Sequence, residues 1–390
     1  MEQKVKKQYD IYSKIFYFSL FSVSAMTVLG STTIAPSLPN LEKHFNNIKN
    51  IEMLSKLVLT LPAIFVVIFS PISGYLFDKF ERLKIIYIAM ITWSISGFIG
   101  FFLDDIYYIL TSRAIFGIAT AFVMTGASAL IADYYIGAKR EKALSIQGFF
   151  TAFGGALFLI MGGFLSNIDW RYPFLVYLLG FIIFAFAFKV LFEPQRLHKQ
   201  ISQSNEKFNF IKFLPIYIIS FFAMSMFYII PTQAPFFITH ILNKGGELIG
   251  ISLAISSVIT AFSSLFYTRL RIYFKLNEMY CIGFCAMGVG YCLIYIFHNY
   301  LILLTSFIFI GFSLGILLIT NSSWLFSLTN DSIRAKAYGF LASSVFMGQF
   351  LSPFITQPIA YRFGIINMFL IFGILLLAIG VIFLKIFKNI

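Results

Sequence analysis

The residues able to do chemistry are few, and most stand in the wrong setting for catalysis. Gly311-Phe312-Ser313-Leu314-Gly315 fits the G-x-S-x-G nucleophile pattern, which works only on a strand-to-helix elbow with a histidine base in reach. Here it lies in the middle of a long apolar run, and His44, His198, His240 and His298 all fall at run ends or in loops. Small-xxx-small helix packing accounts for it better. Cys281, Cys285 and Cys292 share one apolar stretch with no histidine or carboxylate beside them, so they read as packing or lipid-facing residues. Neither an H-E-x-x-H nor a Walker A pattern occurs, and no metal site or cofactor is expected. Asn321-Ser322-Ser323 is a nominal glycosylation sequon inside an apolar run, where no acceptor is accessible.

What holds these residues is a membrane protein. Of 390 residues, 59% are hydrophobic, 50 are Phe and only 12% are charged, about half the charge that a hydrated surface requires. A bilayer core of about 30 Å is crossed by about 20 apolar residues in a helix. Apolar runs bounded by charge fall at 13–38, 53–76, 84–103, 106–133, 143–165 and 173–192, then at 213–239, 248–268, 278–297, 301–328, 337–360 and 364–386. The first run is too long for a signal-peptide core and has no clear cleavage site, so it reads as a first transmembrane helix. The expected fold is all-α and integral to the membrane: twelve helices in two six-helix bundles, residues 1–193 and 213–390, joined by a polar linker over 194–212. Arg140-Glu141-Lys142-Ala143 and Arg334-Ala335-Lys336-Ala337 open the fifth and eleventh runs 194 residues apart, as two related halves would.

Lys and Arg divide 22 to 6 between alternate loops in favour of the side bearing the termini, with Arg113 alone assigned to a span interior. The bias predicts both termini in the cytoplasm and a multi-pass protein of the inner membrane. The net charge of +13 then reflects orientation and anionic lipid rather than nucleic acid. All 16 carboxylates lie in loops or at helix ends. An embedded cation must face protein or water. Arg113 therefore either attracts an anionic or zwitterionic solute, or tunes a proton step, or holds helices together through carbonyls and hydroxyls.

Hydroxyl- and amide-bearing runs mark a path. The first run carries Thr27, Ser31 and Thr32, the fifth Gln147, the seventh Tyr228 and Gln233 around a break expected at Pro231, and the tenth Asn321. Runs one, four, seven and ten are expected to line it, while runs six and twelve, almost free of polar residues, form the lipid-facing rim. Many of the hydroxyls can equally bond back to their own helices. With abundant Phe and Tyr, such a path suits a small amphipathic molecule. Asp78, Arg82, Asp133 and Arg140 are expected at neighbouring helix ends on the terminal side, where they can latch helices or simply be solvated.

Several stretches resemble the major facilitator superfamily across the whole chain. Gly74-Tyr75-Leu76-Phe77-Asp78-Lys79-Phe80-Glu81-Arg82 is similar to its signature loop, with Glu81 in place of the later glycine. Arg113 to Gly117 is similar to its R-x-x-x-G stretch, and Asp133 stands where the acidic partner of the loop does. Ala35-Pro36-Ser37-Leu38-Pro39 and Trp170-Arg171-Tyr172-Pro173-Phe174 resemble the drug-efflux branch. The resemblance implies a monomeric secondary transporter working by alternating access, exporting small molecules in exchange for protons. Two departures bear on that. Phe158 and Leu159 replace the Gly-Pro of the efflux motif ahead of Gly162-Gly163, and the first run lacks the carboxylate typical of proton-coupled members. Proton coupling would then rest on Asp133, Asp78, Glu52 or Glu247; without it the protein is a facilitator, solute exchanger or importer.

Overall fold

The computed structural model describes residues 10–136, 138–194 and 208–386. Fourteen α-helices are assigned among them: α1 (Lys14–Thr32), α2 (Leu38–His44), α3 (Ile51–Lys79), α4 (Arg82–Phe98), α5 (Ile106–Tyr134), α6 (Ala138–Ser166), α7 (Leu179–Val190), α8 (Phe210–Phe227), α9 (Ile229–His240), α10 (Gly246–Tyr273), α11 (Leu276–Ile296), α12 (Tyr300–Ser327), α13 (Asp331–Phe363) and α14 (Ile365–Ile386). Eleven segments are long and apolar enough to cross a bilayer, and the 19-residue α1 brings the count to the expected twelve. The polar linker lies mostly outside the described residues.

Helix ends are set by side chains that take up the first free N–H groups. Asp105 accepts from the N–H of Tyr107 and Tyr108 at 2.7 and 3.3 Å, and Asn299 from that of Leu301 at 2.8 Å. The seventh span divides, but not at Pro231. The break falls at Tyr228, because a proline ring clashes with the carbonyl four residues back, here that of Phe227. Tyr291 of α11 donates to the neighbouring Met226 carbonyl. The first span also ends earlier than its apolar run: after α1 the chain makes a single 3-10 turn at Ala35–Ser37 and then the short α2, both rich in proline. The sixth span is 3-10 helix over Tyr172–Leu178 before α7 begins.

Helices α1 to α7 pack chiefly among themselves, as do α8 to α14. The halves meet through α3 on α13, α6 on α10, and α2 with its preceding turn on α9. Helices α7 (Ile182, Phe186, Phe188) and α14 (Ile374, Val381, Ile382) carry exposed apolar residues, as do α3, α6 and α10.

Among the described residues, the closest approach of the two halves lies at one end. Near Ser166 of α6 and Gly246 of α10, far from the face bearing the termini, a Cβ on Gly163 would sit 2.6 Å from the Gly246 carbonyl oxygen and 3.0 Å from Gly250 Cα. Asn167 continues this contact: its Oδ1 accepts from the Gly246 N–H at 2.7 Å, and its Nδ2 donates to Glu247 at 3.2 Å. Followed towards the terminal face, the same stripe of α6 opens from buried Leu159 and Ala156 to exposed Gly148 and Phe149. The facing stripe of α10 runs from buried Gly250 and Ala254 to exposed Leu265, Thr268 and Ile272. A Cβ at Gly74, Gly148 or Gly339 would meet nothing within 4 Å. The halves therefore approach most closely at the face opposite the termini, and the exposure of both stripes rises towards the terminal face. Gly163→Val is expected to cost about 1–3 kcal/mol by overpacking, read as a lower melting temperature in detergent, whereas Gly148→Val leaves it unchanged.

Candidate gate and transport path

At the terminal face, the end of α5 is tied to the start of α4. Arg82 Nη1 lies 2.8 Å from Asp133 Oδ2, with both side chains largely buried. Glu193 caps α4, its two oxygens accepting from the N–H groups of Arg82 and Leu83 at 2.8 and 2.9 Å. Tyr134 OH donates to the Phe192 carbonyl at 2.5 Å. Of the charges expected to latch, Arg82 and Asp133 thus meet within one half. Arg140 lies at the start of α6, partly buried, and the Asp78 side chain lies outside the described residues. Gly74 sits on α3 facing open space.

Arg113 is 0% exposed and packed between α4, α5 and the 3-10 segment Tyr172–Leu178. Its Nη2 donates to the carbonyls of Ser96 and Gly97 at 2.9 and 2.8 Å, and its guanidinium lies about 5 Å from the rings of Phe116, Phe174 and Tyr177. Gly97 and Gly100 make room: a Cβ at either would come within 2.5 Å of Tyr177 or Phe174. Of its alternative roles, this geometry serves the holding of helices, since carbonyl dipoles and ring faces neutralise the cation inside one half.

The expected path residues do not form one group. On α1, Thr27 bonds back to the Ser24 carbonyl at 2.8 Å, and Gln147 of α6 donates to Ser24 Oγ at 3.1 Å, so these residues share the α1–α6 wall. Thr32 lies at the end of α1, partly buried, and the Ser31 side chain is outside the described residues. Tyr228 is buried at the α8–α9 break. Asn321 points instead to α11, its Oδ1 accepting from Tyr280 OH at 2.6 Å, inside the second half.

Gln233 belongs to a different constellation at the closed end. Its Nε2 donates to Thr356 Oγ1 at 3.2 Å and to Gln357 Oε1 at 3.1 Å, both on α13. The same Gln357 oxygen accepts from Lys56 Nζ of α3, and Gln357 Nε2 donates to Glu52 Oε2 at 2.5 Å. Lys56 Nζ also lies 4.5 Å from the ring centre of Phe236 on α9. With His240, Tyr361 and Ile365 these residues surround a cavity of about 290 Å3. Lys56 is only 3% exposed. Counting charge by loop assigned it to solvent, yet it stands inside the second apolar run, and that position was the available signal. It is a second embedded cation beside Arg113.

Glu42 brings a further charge to this end on α2. Burial is the main influence on its carboxyl and raises its pKa, while Lys56 pulls the other way. Helix α2 is held from its far end: His44 Nε2 lies 2.8 Å and Arg171 Nη2 2.6 Å from Asp104 Oδ1. The His44 hydrogen bond first, and then the Arg171 charge, hold Asp104 below the usual carboxylate range.

A model of the Major Facilitator Superfamily matches residues 20–270 and 213–389. The chain belongs to this superfamily. Among curated relatives, multidrug resistance protein 1 of Bacillus subtilis is 28% identical over 268 residues, covering 65% of this chain and 67% of the relative. Quinolone resistance protein NorA of Staphylococcus aureus is 27% identical over 361 residues, covering 87% and 88%. Among solved structures, a bacterial homologue of the human lysosomal transporter Spinster, inward-facing and occupied, superposes with a TM-score of 0.79 at 16% identity, covering 96% of both chains. As a major facilitator protein, the chain is a multi-pass secondary transporter and not an enzyme, and it carries the superfamily fold of twelve helices in two halves.

Two outcomes follow from the charges. Arg113→Ala leaves two buried carbonyls without their donor and a void among three rings, at a cost of about 2–4 kcal/mol, expected as a lower melting temperature with substrate selectivity unchanged. Burial holds the Glu42 carboxyl above the value it has in the unfolded chain, so the folded protein takes up its proton at a higher pH than the unfolded chain does. The stability of the fold therefore falls as pH rises from the ordinary carboxylate range through the raised value. A melting-temperature profile against pH reads this slope, and Glu42→Gln flattens it.

Proposed function

We propose that this transporter exports small amphipathic organic solutes across the cytoplasmic membrane by alternating access, in exchange for protons, and acts as a monomer. The observation that carries the reading is the closest approach, at one end, of two halves read as residues 1–193 and 213–390 joined by the 194–212 linker. A solute enters a cleft that is closed ahead of it, and rocking of the halves about the solute reverses the closure. The 22 to 6 excess of Lys and Arg supports both termini in the cytoplasm, so the open cleft faces inward. The names of the relatives, a multidrug and a quinolone resistance protein, support outward movement of such compounds.

Thr27, Thr32 and Gln147 give the first half a hydroxyl and amide wall, with Tyr228 set at the α8–α9 break of the second. Gln233, Lys56 and Gln357 close the outer end, and Gly74, Arg82, Asp133 and Arg140 stand at the inner helix ends. Helix interiors hold no carboxylate, so the proton is carried by an acid at a helix end, with Glu52 and Asp133 the best placed. The same distribution favours a second reading, a solute facilitator or exchanger without proton coupling.

Purified protein in vesicles with a preset pH gradient separates the two. Addition of a fluoroquinolone or a lipophilic dye collapses the gradient in the first reading and moves solute without pH change in the second; no protein-dependent flux contradicts both. Asp133→Asn, which takes the charge from the Arg82 pair, is expected to cut flux at least tenfold while the protein still inserts and elutes normally.

A further inference from the structure

The closed end holds an arrangement that an ordinary contact does not need. Glu52 and Lys56 lie four residues apart on α3 with the acid first, the spacing and order that favour a direct ion pair on a helix. Among the described residues they form no ion pair with each other. The amide of Gln357, from the other half, stands between them: its nitrogen donates to Glu52 and its oxygen accepts from Lys56. The oxygen is held in that orientation by Gln233 as well.

We propose that Gln357 is the wedge of a partner-exchange gate. While the opposite face is closed, the amide separates Glu52 from Lys56; when α13 moves away, the two charges close on each other as an intrahelical ion pair. This rests on the alternating-access reading above. A neutral amide is a weaker partner for a carboxylate or an ammonium than each is for the other. Withdrawal of α13 therefore trades two charge-assisted bonds across the halves for one ion pair within α3, instead of leaving a buried lysine bare. Phe236, on α9, leaves Lys56 in the same step. Glu42, on α2 in the first half, adds a second carboxylate near the released ammonium. The exchange offsets part of the loss on opening and keeps the closed end from being a permanent seal.

The mechanism predicts opposite responses from two neighbouring substitutions. Gln357→Leu keeps the volume, removes both bonds across the halves and lets the pair form, so the opposite face opens. Glu52→Gln keeps an acceptor for the Gln357 amide but removes the ion pair that rewards opening, so the opposite face stays closed. The reporter is Leu59→Cys, one turn deeper on the same stripe of α3 and buried in this structure, in a background with Cys281, Cys285 and Cys292 changed to Ser. Labelling in vesicles by a membrane-impermeant thiol reagent from the opposite face gives the opening rate. Gln357→Leu is expected to raise the rate at least tenfold and Glu52→Gln to lower it several-fold, both at unchanged melting temperature within a few degrees. If both variants raise the rate, or neither alters it, the wedge is wrong and Gln357 is an ordinary contact. If the parent protein labels identically with and without a transported dye, alternating access itself fails. Should Gln357→Leu not fold, the direction of the Glu52→Gln effect decides alone.

Discussion

Everything in this molecule depends on where its two halves are allowed to touch. Inside a bilayer there is no hydrophobic gain from bringing apolar helices together, so association comes from close packing and from polar groups with nowhere else to go. Both means are concentrated at the opposite face. Gly163 and Gly250 let α6 and α10 approach backbone to backbone, and Gln233, Gln357, Glu52 and Lys56 join α3 and α9 to α13. Towards the terminal face the same helices carry glycines with open space over them. Rigid halves hinged at one end, and a cleft between them, follow from that asymmetry.

Among the described residues two cations are buried, and their surroundings differ. Arg113 is enclosed within a single half by two carbonyls and three aromatic rings, so nothing about its surroundings changes when the halves move. Lys56 is shared between halves, and its nearest partners lie on helices that must separate from it. The first arrangement gives rigidity to α4 and α5. The second joins a charge of the first half to groups of the second half, the contact that the proposed gate uses.

The twelve spans were legible because the bilayer dictates a run length that few other constraints mimic, and the family followed from the signature loop and its spacing. What sequence could not give was side-chain direction. Asn321 and Gln233 are similar in type, yet one turns inward to Tyr280 of its own half and the other reaches α13. Lys56 sits so close to a helix end that counting by loops assigned it to water, although it lies within an apolar run. The seventh span breaks at Tyr228 and not at Pro231, since a proline disturbs the carbonyl four residues back. Gly162 and Gly163 were visible as the remnant of an efflux motif, but their use as the point of closest approach between halves is a property of packing.

In the proposed transport cycle, closure at one end and opening at the other are alternatives. Spin labels at Phe149 and Leu265, on the terminal-face stretches of α6 and α10, report one end; labels at Asn167 and Lys244, across the opposite face, report the other. Distance distributions for both pairs, measured in lipid with and without a transported compound, should move in opposite directions, the first shortening as the second lengthens. Distances that lengthen together, or that stay fixed while the compound is transported, would contradict a two-ended cleft worked by rigid halves.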